Sequence, residues 1–141
     1  EDIQDPGNLG SILRSAAAAG VEHVFLSAHC AFPWSPKVIR AGMGAHFLLS
    51  IHEGAHLARI ALSFKGKVVA ASLHAPHSVY ETDLRGPVAL LIGNEGAGLS
   101  EAMLEVATTQ VSIPMPGKME SLNAAAAAAI CLFERVRQTR S

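Results

Sequence analysis

The sequence predicts an α/β domain built on a parallel sheet flanked by helices, and three observations carry that expectation. Short runs rich in valine, isoleucine and leucine alternate along the chain with helical stretches. Several runs are almost wholly apolar, among them Val68 to Leu73, broken only by Ser72, and Val88 to Ile92, as befits strands buried on both faces. Two of the runs lead straight into loops carrying glycine and polar side chains, and then into helices. Such strand-to-helix loops are where open α/β sheets build ligand pockets. The chain's 141 residues, 50% of them hydrophobic, suffice for one domain with a contiguous core.

The elements follow in order. Asp5-Pro6-Gly7-Asn8 reads as a turn, with Asn8 a candidate N-cap for a helix through Ala19 that Gly20 ends. Val24-Phe25-Leu26 is a short buried strand. Ser35-Pro36 opens a second helix, a capping residue followed by proline at the first helical position. Phe47 to Ile51 reads as the next strand. Residues 53–64 then form an amphipathic helix with Leu57, Ile60, Ala61 and Phe64 on one face. Val68 to Leu73 and Val88 to Ile92 are strands, Ser100 caps a helix to about Ala107, and Gln110 to Ile113 is the last strand. The terminal helix spans 121–138 and carries the tract Ala124 to Ala129, where alanine favours helix and close packing.

Composition limits the function classes. A net charge of −1 lacks the basic excess common among nucleic-acid binders, so any grip on a polyanion must come from a local cluster or another domain. Cys30 and Cys131 match no metal-ligand spacing and read as free thiols of a reducing, cytoplasmic protein. No apolar run approaches the ~20 residues that span a bilayer, so no membrane association is expected. The chain opens at Glu1 with neither methionine nor signal peptide, which suggests an excised fragment of something longer.

The loop Gly93-Asn94-Glu95-Gly96-Ala97-Gly98 is no phosphate loop: it lacks the Lys-Ser/Thr pair and the dinucleotide glycine spacing. The Glu95 carboxylate would repel phosphate, so a cationic or zwitterionic ligand suits it better. Asn8 and Arg14 differ by roughly 600° around their helix, some 120° from alignment, so they share no narrow stripe. Ser121 reads as an N-cap, and with Leu122 and Asn123 it places polar groups at a positive helix end. His52 and His56 have the spacing of a zinc motif. They lack a third ligand, and Gly54 is a poor mid-helix residue, so no metal is expected.

Three segments together resemble the SpoU (TrmH-type) branch of the SPOUT RNA methyltransferases. They are Asp5 to Ala16, Leu91 to Leu99, and Val111 to Met115 continuing to Ser121-Leu122-Asn123. The resemblance implies a C-terminal deep trefoil knot, a topology that general rules disfavour. It also implies S-adenosylmethionine bound between the knot loops, and a homodimer sharing its active sites. By position, Gly93, Ile113 and Leu122 match main-chain cofactor contacts, with Leu73, Asn94, Gly96, Met115 and Ser121 lining the same pocket. The implied reaction is methyl transfer to a ribose 2′-hydroxyl of ribosomal or transfer RNA. Arg14 would position hydroxyl and phosphate, helped by Asn8, Glu95, Ser121 and Asn123, with Glu95 the natural ion-pair partner of the guanidinium. The family often carries an N-terminal RNA-recognition domain; none is visible here, and the first strand reads as truncated. The competing readings are a base-nitrogen methyltransferase of the same fold and a non-catalytic RNA-binding or assembly module.

Overall fold

A computed structural model describes residues 1–140. Helix α1 (Pro6–Ala18) is capped by Asp5, whose side chain accepts the Asn8 N–H at 2.9 Å, so the cap lies three residues before the expected Asn8. Proline at the first helical position explains the shift, because its missing N–H needs no partner there. Leu9, Gly10, Leu13 and Ala16 form the buried face of α1. Gly20, at φ +85°, ends the element as expected.

Strand β1 (His23–Phe25) pairs in parallel with β2 (Ser50–His52), with Val24 opposite Ile51. Between them runs α2 (Pro36–Gly42), whose cap Ser35 accepts the Val38 N–H. α1 and α2 cross at Gly10, where an added Cβ would sit 2.4 Å from the Ala41 Cβ and 2.8 Å from the Val38 carbonyl oxygen. Only glycine permits that approach.

Residues 45–47 form a 3-10 turn rather than the start of β2, and Phe47 is 91% exposed. Helix α3 (Leu57–Ser63) also starts later than expected, because Gly54 adopts φ +57° and breaks the chain direction. The expected apolar face nevertheless holds, with Ala61 buried and Leu57, Ile60 and Phe64 half-buried.

The second sheet contains β3 (Lys67–Ala71), β4 (His77–Ser78), β5 (Val88–Leu91) and β6 (Thr109–Ser112) in the order β4-β6-β3-β5, all pairs parallel. Helix α4 (Glu101–Val106), capped by Ser100, joins β5 to β6, and α5 (Ala124–Thr139) closes the described chain. The expected parallel sheet is therefore present, as two hydrogen-bonded pieces. Asp2 ties them together: its N–H donates to Ser27 Oγ beyond β1, and its carbonyl accepts Asn94 Nδ2 beyond β5, both at 2.7 Å.

Two apolar clusters fill the interior. Ile3, Leu9, Leu13, Leu26 and Val38 pack under α1 and α2, and Val69, Val79, Leu84, Val111 and Cys131 pack under α5. Burial raises the Cys131 thiol to about 11, which marks it as a core residue rather than a nucleophile. The last turns of α5 are tied down by Gln138, which accepts the Leu84 N–H at 2.7 Å and donates to the Thr82 carbonyl at 2.9 Å.

Candidate functional site

Parallel pairing gathers three loops at one end of the second sheet. Ala71 lies opposite Val111 on β6, and Ala70 lies opposite Leu91 on β5. The segments that follow, at Leu73, Gly93 and Ile113, therefore leave from the carboxyl ends of three adjacent strands. A bond from Ser72 N–H to the Val111 carbonyl, 2.9 Å, carries the pairing up to this rim. Ile113 and Met115 are half-buried, while Leu73 and Leu122 are 53% and 40% exposed. Exposed apolar side chains on convergent loops form a surface suited to a partly apolar ligand.

The glycine loop is shaped by its own backbone. Asn94 and Gly98 exchange main-chain hydrogen bonds at 3.2 and 2.9 Å, and Asn94 Oδ1 accepts the N–H groups of Gly96 and Ala97, each at 2.9 Å. A Cβ on Gly93 would meet Leu99 N at 2.2 Å and Gly98 C at 2.3 Å. Gly93 is thus required by chain approach alone. Gly96 has nothing closer than 3.6 Å and serves no such need.

Glu95 clasps the segment before α1. Its carboxylate accepts the N–H of Asp5 at 2.8 Å and of Gln4 at 3.1 Å, and the Asn8 side-chain amide at 3.5 Å. Partial burial opposes ionisation, but the N–H groups of Asp5, Glu95 itself and Gln4, with the Asn8 amide, outweigh it and hold the pKa below its ordinary value. The anticipated pairing of Glu95 with Arg14 is not made within this chain. Neither residue enters a salt bridge among the described residues. Backbone N–H groups fill the carboxylate instead, which also removes the reason to expect a cationic ligand at this loop.

Asn8 links the two halves of the site. Its Oδ1 accepts Asn123 Nδ2 at 2.9 Å while its Nδ2 faces Glu95. Asn123, not Ser121, caps α5, its Oδ1 accepting the N–H groups of Ala125 and Ala126 at 2.8 and 3.2 Å. Asparagine does this while its amide remains free to donate; serine at 121 stands too early in the chain to reach those N–H groups. Ser121 is exposed and makes no side-chain hydrogen bond among the described residues. The contiguous set is therefore Glu95, Asn8 and Asn123, with Asn94 beside it.

Arg14 stands apart. It is exposed, and it lies about 40° around α1 from Gly10, on the side that meets α2, whereas Asn8 faces α5. Gln4 and Asp5 as partners of Glu95 are not legible from sequence, since that contact uses main-chain groups some ninety residues away. The Asp-Pro pair was a legible capping signal.

Two surface hollows lie beyond these loops. One, of about 420 Å³, sits along Phe133, Val136 and Arg137 on α5 and Arg140 just beyond it. The other, of about 200 Å³, lies at the carboxyl ends of β1 and β2 between Ser27, Cys30, Phe32, Pro33 and Glu53. His23 and His52 approach within 3.2 Å, but among the described residues no three His, Cys, Asp or Glu side chains gather as a metal site.

Comparison with known proteins follows the same geometry. The SpoU rRNA Methylase family matches residues 1–133. An uncharacterized tRNA/rRNA methyltransferase of Synechocystis is 42% identical over 98% of this chain and 52% of its own length. The 23S rRNA (guanosine-2′-O-)-methyltransferase RlmB of Shewanella oneidensis is 38% identical over 100% of this chain and 58% of its own. The chain thus spans a little over half the length of these relatives. Among solved structures, the SpoU methyltransferase AviRb of Streptomyces viridochromogenes, in complex with AdoMet, superposes with a TM-score of 0.88 at 38% identity, covering 99% of this chain and 56% of that one. An RNA methyltransferase of the TrmH family from Porphyromonas gingivalis superposes at 0.91 with 36% identity, covering 99% and 58%.

Proposed function

The chain belongs to the SpoU rRNA methylase family, and from that premise we propose that it is the catalytic part of an S-adenosylmethionine-dependent RNA 2′-O-methyltransferase. The observation that carries the reading is the hydrogen-bonded chain Asn123–Asn8–Glu95, which joins the glycine loop, α1 and the start of α5 into one polar rim. The exposed side chains of Leu73 and Leu122 and the half-buried Ile113 and Met115 lie on the loops beside it. They fit the apolar body of the cofactor, with Gly93, Asn94, Gly96 and Ser121 supplying close main-chain approach and polar groups. In this reading the segment after β6 passes through a loop as a trefoil knot, which brings the loops after β3, β5 and β6 around one ligand.

S-adenosylmethionine, when bound, supplies an electrophilic sulfonium methyl. The chain's own task is alignment of a ribose hydroxyl for in-line displacement and removal of its proton. Arg14 holds the hydroxyl and an adjoining phosphate by charge-assisted hydrogen bonds. Asn8 and Asn123 orient the ribose, and Glu95 fixes Asn8 and the start of α1. Because Arg14 projects from another side of α1 than Asn8, it serves the site of a second copy more readily than its own. That placement supports a homodimer with shared sites as part of the same reading.

RlmB relatives act on 23S rRNA by name, and ribosomal RNA in the cytoplasm is accordingly the favoured substrate. Base-nitrogen transfer and a purely RNA-binding role are the competing outcomes. Calorimetry with S-adenosylhomocysteine, followed by mass mapping of methylated nucleosides, separates all three. Micromolar binding with 2′-O-methylribose as product supports the proposal, base methylation supports the second reading, and absence of both supports the third.

A further inference from the structure

The hollow of about 200 Å³ beyond β1 and β2 has no role in the site above, yet it opens at the same end of the molecule. Asp2 shows this directly: one side of it bonds Ser27, which lines the hollow, and the other bonds Asn94, next to Glu95. The hollow is smaller than the ~300–1,000 Å³ of pockets for whole drug-sized ligands, and its scale suits one planar ring system.

Its lining is specific in chemistry. Phe32, 59% exposed, provides a ring surface at the rim, and the buried Pro33 backs the wall. Ser27 is already committed, accepting the Asp2 N–H at 2.7 Å and donating to the Asp2 carboxylate at 2.6 Å. Glu53 differs: it is exposed and enters no salt bridge among the described residues, leaving its oxygens available as acceptors.

Resting on the methyltransferase reading, we propose that this hollow is a base-recognition subsite for a guanine of the substrate RNA, stacked on Phe32 and read by Glu53. A carboxylate only accepts hydrogen bonds, and among the four bases guanine alone presents two adjacent donors, N1–H and N2–H, on its Watson–Crick edge. The same carboxylate repels phosphate, so a splayed-out base rather than the backbone enters. Phe32 contributes sequence-tolerant stacking.

The test measures binding of the full-length protein to the single-stranded ribonucleotides UUUGUUU, UUUAUUU, UUUCUUU and UUUUUUU by fluorescence anisotropy. A guanine preference of roughly tenfold is expected, the usual scale for a bidentate base contact. Glu53→Gln should erase that preference with little effect on the other three RNAs, and Phe32→Ala should weaken all four. S-adenosylhomocysteine affinity should stay unchanged in both variants, which also reports that they fold. Equal binding of the four RNAs by the unaltered protein, or a preference that survives Glu53→Gln, overturns the subsite. The two failures are distinguishable: lost guanine preference with normal cofactor binding overturns the subsite alone, whereas absent cofactor binding overturns the methyltransferase reading and the subsite's place in it.

Discussion

Asn8→Asp is nearly isosteric and isolates what Asn8 does. The substitution keeps an oxygen for the Asn123 amide but replaces the amide nitrogen that faces Glu95 with a second carboxylate oxygen. Two unit charges at the observed 3.5 Å repel by about 1 kcal/mol in water and by about 4–5 kcal/mol at an effective dielectric near 20. Glu95 is exposed, so the lower part of that range applies, about 1–2 kcal/mol. A negative charge in the first turn of α1 returns about 0.3–1 kcal/mol through the helix dipole. The net expectation is a loss of about 1 kcal/mol at low ionic strength. Urea denaturation at low and at molar salt measures it, with Asn8→Ala as a control that removes both hydrogen bonds without adding charge. The Asn8→Asp deficit should shrink at high salt, where the Debye length falls to about 3 Å, and again below pH 4. The Asn8→Ala deficit, also about 1 kcal/mol, should not respond to salt. An Asn8→Asp protein as stable as the unaltered one at low salt, or equally destabilised at all salt concentrations, would refute the placement of Asn8 between Glu95 and Asn123.

The remaining predictions concern the same rim. Gly93→Ala should cost about 2 kcal/mol or more in thermal or urea unfolding, because its Cβ would collide with backbone at 2.2 Å, while Gly96→Ala should cost far less. Since the folded Glu95 pKa is depressed, its stabilising effect is complete above the unfolded value of about 4.3 and is lost as pH falls through the lower folded value. The stability gap between the unaltered protein and Glu95→Gln should therefore be flat from pH 5 to 7 and close on acidification; a gap that widens there contradicts the clasp. Asn123→Ala should lose about 1 kcal/mol from the cap alone, and Asn123→Ser should recover part of it in helix stability without restoring the Asn8 contact. Arg14→Ala should abolish methyl transfer yet leave S-adenosylhomocysteine affinity nearly intact; equal loss of both would remove Arg14 from the chemistry.

Much of the architecture was legible because it is local. The apolar runs at Val68 and Val88 and the caps at Ser35 and Ser100 state their elements within a few residues. Errors arose where apolar character and burial part company. Phe47 and Leu48 read as strand yet are 91% and 73% exposed, in and beside a 3-10 turn. The two-residue strand His77–Ser78 carries too little pattern to detect, and its pairing with β6 comes from chain approach. At the site, the grouping of Asn8, Glu95 and Asn123 was expected from resemblance, whereas the hydrogen bonds that hold it together were not. Glu95 holds main-chain N–H groups rather than a guanidinium, and no spacing in the sequence reveals a partner that is backbone. Ser121 and Asn123 are both good capping residues, and only the start of the helix at Ala124 decides between them.

The most direct test of the function is incubation of unmodified ribosomal RNA with the full-length protein and S-adenosylmethionine carrying a deuterated methyl group, followed by digestion to nucleosides and mass spectrometry. The heavy methyl is expected on ribose, in a single 2′-O-methylnucleoside, and is expected to be absent with Arg14→Ala. Label on a base, or none on any nucleoside while S-adenosylhomocysteine still binds, would contradict it.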